Sequence, residues 1–200
     1  MKSRKFASHY FLKPDGALGS WAIIEFSDKG EVVSTSYNPE GLEEQPSLEF
    51  YGGILIPGLI DFSDGIVIDE KTLNRHFAAG TFAICCSENA PSEKRKSPPF
   101  FHKTSKEITS ENYSYINNEN TLPLFERIKM ELLSNNRLSL IDLLHQATAK
   151  NAEKAGLSNL VGSLAEGLYP GLLVLENIDL KTLGLTSKTR LRWLVNENGL

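Results

Sequence analysis

Few residues in this chain could carry chemistry. It has four histidines, His9, His76, His102 and His145, and two cysteines, Cys85 and Cys86. No two histidines stand at His-x-His or His-x-x-x-His spacing, the patterns that bring two imidazoles onto one metal. A hydrolytic zinc needs three protein ligands and an open position, and this set does not supply them. His9 lies in a predicted strand and His76 and His145 in predicted helices, so all three are expected to be surface or structural residues. His102 stands at a predicted strand end, where it would adjoin any pocket. Neighbouring cysteines cannot form a relaxed disulfide, because their Cα atoms are only about 3.8 Å apart. Cys85 and Cys86 are expected to be reduced strand residues facing opposite sides. Acids follow an apolar run at Asp61 and Asp64, on either side of Ser63. No catalytic set is assigned from the sequence. Asp61, Asp64 and His102, with Glu119 as a further acid, are what remains to carry one. No Gly-rich phosphate loop, Gly-x-Ser-x-Gly elbow or Cys-His pair is present.

The elements that would position these residues can be read in chain order. Residues 4–12, 21–26 and 31–37 are strand-like, with turn signals at Pro14-Asp15-Gly16 and Asp28-Lys29-Gly30. A polar loop from Asn38 to Pro46 leads to Leu48 and then to Ile54-Leu55-Ile56. That apolar run suits a strand covered on both faces. The first 56 residues read as a β meander. Pro57 ends regular pairing, Gly58 allows a sharp turn, and Leu59-Ile60-Asp61-Phe62 resumes as a second short strand. Asp69 to Gly80 reads as a helix, with Asp69 as its cap, Gly80 at its end and Leu73, His76 and Phe77 on one face. Thr81 to Cys86 is a buried strand, which completes a βαβ pattern.

Residues 87–121 are polar and weakly patterned. They contain Lys94-Arg95-Lys96, read as a solvated loop, and a short strand at Phe100-Phe101-His102. A helix is expected from Leu122, with Thr121 as cap, and its stripe is Leu124, Phe125, Ile128 and Leu132. Another is expected from Ser139 to about Ala155, ending at Gly156. Leu172 to Leu175 and Leu191 to Val195 return the chain to strands.

Two segments carry a resemblance. Gly52-Gly53-Ile54-Leu55-Ile56-Pro57-Gly58-Leu59-Ile60-Asp61 is similar to the barrel start in the amidohydrolase superfamily of metal-dependent hydrolases, in its cytosine deaminase and chlorohydrolase-like branch. Gln146-Ala147-Thr148-Ala149-Lys150-Asn151-Ala152, with Val161-Gly162-Ser163 through Pro170-Gly171-Leu172-Leu173-Val174, resembles that family's last helix and tail. The match to that family covers roughly residues 4–86 and 122–196. In the family the first barrel strand ends in His-x-His, which binds the catalytic metal. Here those positions are Ser63 and Gly65.

The resemblance implies an α/β fold, with a small β-sandwich-like domain built from both termini and a truncated (β/α) barrel remnant. The domain expectation is 1–57 with 160–200, and 58–159. With the metal positions replaced, it implies an amidohydrolase-like protein with no cofactor and a binding, assembly or regulatory role. The alternative is a residual metal-dependent hydrolase or deaminase acting on a C–N bond of a small molecule. An open barrel edge would need covering, which implies a homodimer or a protein partner.

Composition narrows the rest. A net charge of −4 over 200 residues gives no reason to expect nucleic acid or an acidic membrane surface as partner. No run of about 18 apolar residues would span a membrane. The first ten residues are too polar for a signal-peptide core, so a cytoplasmic location is expected.

Overall fold

The computed structural model describes residues 3–38, 40–62, 69–86, 100–103, 122–135 and 137–196. Ser63, Asp64, Gly65, Lys94-Arg95-Lys96, Glu119 and Thr121 lie outside the described residues.

Both ends of the sequence build one seven-stranded sheet. Its strands are β1 (Arg4–Leu12), β2 (Leu18–Ser20), β3 (Ala22–Phe26), β4 (Val32–Tyr37), β5 (Leu48–Ile56), β9 (Leu172–Glu176) and β10 (Arg190–Val195). The order is β10-β9-β5-β1-β3-β4, with β2 on β1. The meander expectation holds for β1, β3 and β4, which pair antiparallel. It fails for β5, which does not continue beside β4. The long polar loop lets the chain cross back, and β5 pairs parallel with β1. This puts the apolar end of β5 inside the sheet. Ile54, Leu55 and Ile56 are all 0% exposed, as expected for a strand covered on both faces.

The far edge of β5 is closed by the C-terminal segment. Ile54, Leu55 and Ile56 pair with Leu175, Val174 and Leu173. At the head of this pairing Gly53 has φ +141°, and a Cβ there would lie 2.0 Å from Leu175 O. Only glycine lets the two backbones approach so closely.

The Pro57-Gly58 break hands the chain to a second sheet, β6 (Leu59–Phe62), β7 (Thr81–Cys86) and β8 (Phe100–Lys103), in the order β6-β7-β8 and parallel throughout. Gly58 N–H donates to Pro170 O at 3.0 Å. A Cβ on Gly58 would stand 2.5 Å from Phe82 Cβ, so lack of room demands the glycine. The crossover from β6 to β7 is α1 (Glu70–Ala78). Asp69 Oδ1 accepts from Thr72 N–H at 2.7 Å, the cap expected from sequence. Trp193 of β10 stacks on Phe77 at 5.0 Å and donates its indole N–H to Phe77 O at 2.7 Å. The C-terminal strand is thereby fastened to α1.

α2 (Leu124–Ser134) begins two residues later than expected, with Pro123 in extended conformation before it. The single helix expected from Ser139 to Ala155 is three segments: α3 (Leu140–His145), a π-turn (Gln146–Lys150) and α4 (Asn151–Ala155). α2, the π-turn and α4 cover β6. The Thr148 hydroxyl donates to Leu144 O at 2.7 Å. Such back-bonding competes with the helix ladder, which widens to π geometry here. Gly156, at φ +73°, ends the segment in the left-handed conformation.

Candidate functional site

Alternation along β6 sends Leu59 and Asp61 to one face and Ile60 to the other. Leu59 packs with Leu124, Phe125 and Ile128 of α2. Ile60 packs with Ala152 and Ala155 of α4. Asp61 is therefore directed at α2 from the middle of the molecule, and is 1% exposed.

Two side chains meet it. Arg127 follows Leu124 by one turn, so it enters the same interior as the apolar stripe. Its Nη2 donates to Asp61 Oδ1. His76 follows Leu73 on α1 and turns inward with it. Its Nδ1 stands 3.8 Å from Asp61 Oδ2, beyond hydrogen-bond reach. Arg127 is 4% and His76 0% exposed. Asp61 Oδ2, both ring nitrogens of His76, Arg127 Nε and Thr81 Oγ1 have no hydrogen-bond partner among the described residues.

The π-turn supplies the other side. Asn151 Nδ2 donates to Ile60 O at 2.7 Å, and Gln146 Nε2 donates to Asn151 Oδ1 at 3.1 Å. The two segments that carried the sequence resemblance, around Asp61 and around Thr148 to Asn151, thus meet on the same strand.

Burial pushes the Asp61 carboxyl above the ordinary carboxylate range, against the pull of the Arg127 guanidinium and, less strongly, of His76. Burial also holds the His76 imidazole below its ordinary value; Asp61 opposes this, while Arg127 and Arg75 reinforce it. His76 is thus a neutral ring beside an ion pair. The trio joins β6, α1 and α2 through one buried cluster of charged and polar side chains.

This gives a pH prediction. An unfolded histidine takes up its proton near pH 6.5, and folded His76 does so only at lower pH. Below about pH 6.5 the unfolded state binds more protons, so stability falls as pH falls. The limit for one group is about 1.4 kcal/mol per pH unit. Asp61 works in the opposite sense, because its raised value favours the folded state as it protonates. Urea midpoints of the wild type should drop between pH 7.5 and 5.5, and His76→Gln should flatten that drop. An equal slope in the variant would assign the titration to another group.

The remaining candidates are dispersed. His102 is placed by its backbone in β8, in register with Cys85. Cys85 in turn pairs with Phe62, one row on from Asp61 and Ile84, so the sheet does not align His102 with Asp61. Cys85 is buried. His9 Nδ1 accepts from Gly53 N–H at 3.3 Å. His145 Nε2 lies 3.2 Å from Pro14 O. Both serve loops and strands far from Asp61 in sequence and outside the trio.

The fold is α/β, with a sheet built from both ends of the sequence and a parallel β/α unit between them. No model of a known protein family matches the chain, and no curated protein matches it. Solved structures do. The chain is similar to a protein from Bifidobacterium longum assigned as a prolidase, with a TM-score of 0.56 at 10% identity over 100% of this chain and 96% of that one. It also aligns with an adenosine deaminase from Xanthomonas campestris with bound zinc, at TM-score 0.47 and 8% identity over 86% and 84% of the two chains. A D-hydantoinase aligns at TM-score 0.35 and 16% identity, over 55% of this chain and 29% of that one. These neighbours are amidohydrolase-superfamily proteins. At such identities the likeness concerns the fold alone.

The metal implied by that fold was tested against the residues present. Among the described residues, no group of three or more His, Cys, Asp or Glu side chains could hold a metal ion. The acid at the end of β6 is already held by a guanidinium, whose charge repels a cation. Among the described residues the donor set does not fit a metal.

Arg127 is the residue that sequence reading missed. It could have been found as a lone cation inside the stripe Leu124, Phe125 and Ile128.

Proposed function

We propose that this is an amidohydrolase-like protein that acts by binding or assembly rather than by metal-dependent hydrolysis. The observation that carries the reading is the Asp61–Arg127 pair. It commits the acid of the first barrel strand to an internal brace and puts a permanent cation beside it. Ser63 and Gly65, where the resemblance expects metal-binding imidazoles, point the same way. The role involves self-association or a protein partner. Leu133 is 81% and Met130 51% exposed on the outer side of α2, and such side chains are commonly covered in a complex.

One preparation tests both parts. Protein purified without chelators should contain no stoichiometric zinc, iron or manganese by elemental analysis. Light scattering at micromolar concentration should give a mass above that of one chain. Stoichiometric metal would overturn the non-hydrolytic reading. A clean monomer would overturn self-association.

A further inference from the structure

We propose that the cleft between α1, α2 and the start of β10 binds a small amphipathic anion, a carboxylate or similar head on an apolar body. The cleft encloses about 550 Å³, within the usual size of small-molecule sites. Its apolar wall is formed by Ala78, Phe125 and Leu191, and Arg75, Lys129 and Arg190 stand around it against the single acid Glu126. Lys129 Nζ is shared between Glu126 at 3.1 Å and the face of Phe125 at 4.8 Å. Arg190 is anchored by Glu176 at 2.9 Å. Arg75 is exposed and has no ion pair among the described residues. With Lys129 paired to Glu126 and Arg190 to Glu176, Arg75 is the uncompensated positive charge beside an apolar surface among the described residues. That combination selects an anion with an apolar body over a cation or a neutral lipid-like molecule.

The end of α1 weighs against an anion, because its last carbonyls carry partial negative charge. That opposition is reduced here. Phe77 O already accepts from Gly80 N–H and the Trp193 indole, and Arg75 sits in the same last turn. The opening turn of α2 adds a favourable partial charge on the other side. The inference goes beyond the proposed function and does not depend on it. Asp61 is buried and takes no part in the cleft, so a catalytic chain would have the same site.

The test is calorimetric titration of the full chain with octanoate. Acetate lacks the apolar body and octylammonium reverses the charge. Octanoate should bind saturably at one site, at least about tenfold more tightly than either control, a difference of about 1.4 kcal/mol. Arg75→Ser with Lys129→Ser changes one exposed side chain and one half-buried side chain. It should weaken octanoate at least about tenfold while leaving the circular dichroism unchanged. On the wild type, amide shift changes should centre on Ala78, Met130 and Leu191, which locates the site whatever the variant does. Equal binding of octylammonium would reduce the cleft to a greasy patch and overturn anion recognition. Absence of octanoate binding, unchanged binding by the double variant, or shift changes centred elsewhere would each overturn the assignment.

Discussion

Arg127→Met should destabilise the fold by about 3–5 kcal/mol, the usual result of leaving a buried charge without its partner. The variant removes a guanidinium that is 4% exposed and strands Asp61, which is 1% exposed. Methionine fills similar space, so the loss reports charge rather than a cavity. Asp61→Asn should also destabilise, since Arg127 then lacks a counter-ion. The informative variant is the pair, Asp61→Leu with Arg127→Met. Replacing a whole buried ion pair by apolar residues is often neutral or stabilising. The double variant should therefore recover most of the loss, and the coupling between the positions should exceed about 1 kcal/mol. Urea unfolding of the four proteins measures this. Additive losses, with no coupling, would mean that the two charges do not stabilise one another.

Gly53→Ala is expected to have a comparable effect through the backbone. Its Cβ would overlap Leu175 O at 2.0 Å, at a φ of +141° that side chains rarely adopt. Strain of this kind costs about 1–3 kcal/mol, and forced overpacking adds a similar amount. The clash sits at the first pair of the β5–β9 ladder, so relief requires the two strands to part. Hydrogen exchange should show lost protection at Ile54 to Ile56 and Leu173 to Leu175 before it appears in β3 and β4. Gly41→Ala is the control, because a Cβ there meets nothing within 4 Å. Its φ of +148° still imposes the backbone strain. The difference between the two variants isolates the clash.

Local signals in the sequence were strong wherever one residue type answers one backbone need. Asp69 capped α1 as read, Gly156 ended the third helical stretch, and Pro57-Gly58 broke one sheet from the next. Spacing also put Leu73 and His76 on the inward face of α1. What sequence could not provide was who stands opposite whom. Nothing local distinguishes a β5 that follows β4 from one that crosses to β1, because the choice depends on β9 closing its other edge. The π-turn was hidden for a related reason. Thr148 satisfies helical spacing, and only its bond to Leu144 O and the pull of Asn151 on Ile60 O select the wider turn. His76 could be placed on one face with Leu73, but its proximity to Asp61 and Arg127 belongs to three elements separated in sequence.

The closure of β5 by β9 also bears on how the chain is made. Ribosomes deliver residues in order, and Ile54 to Ile56 emerge long before Leu173 to Leu175. At common synthesis rates the wait is roughly ten seconds. During it the apolar end of β5 has a bare edge, open to pairing with any other nascent chain. Contacts so distant in sequence also slow folding after release. The β5–β9 ladder closes only once β9 has emerged, with β10 (Arg190–Val195) still to pair on β9, so synthesis is a stage at which this edge of β5 stands bare.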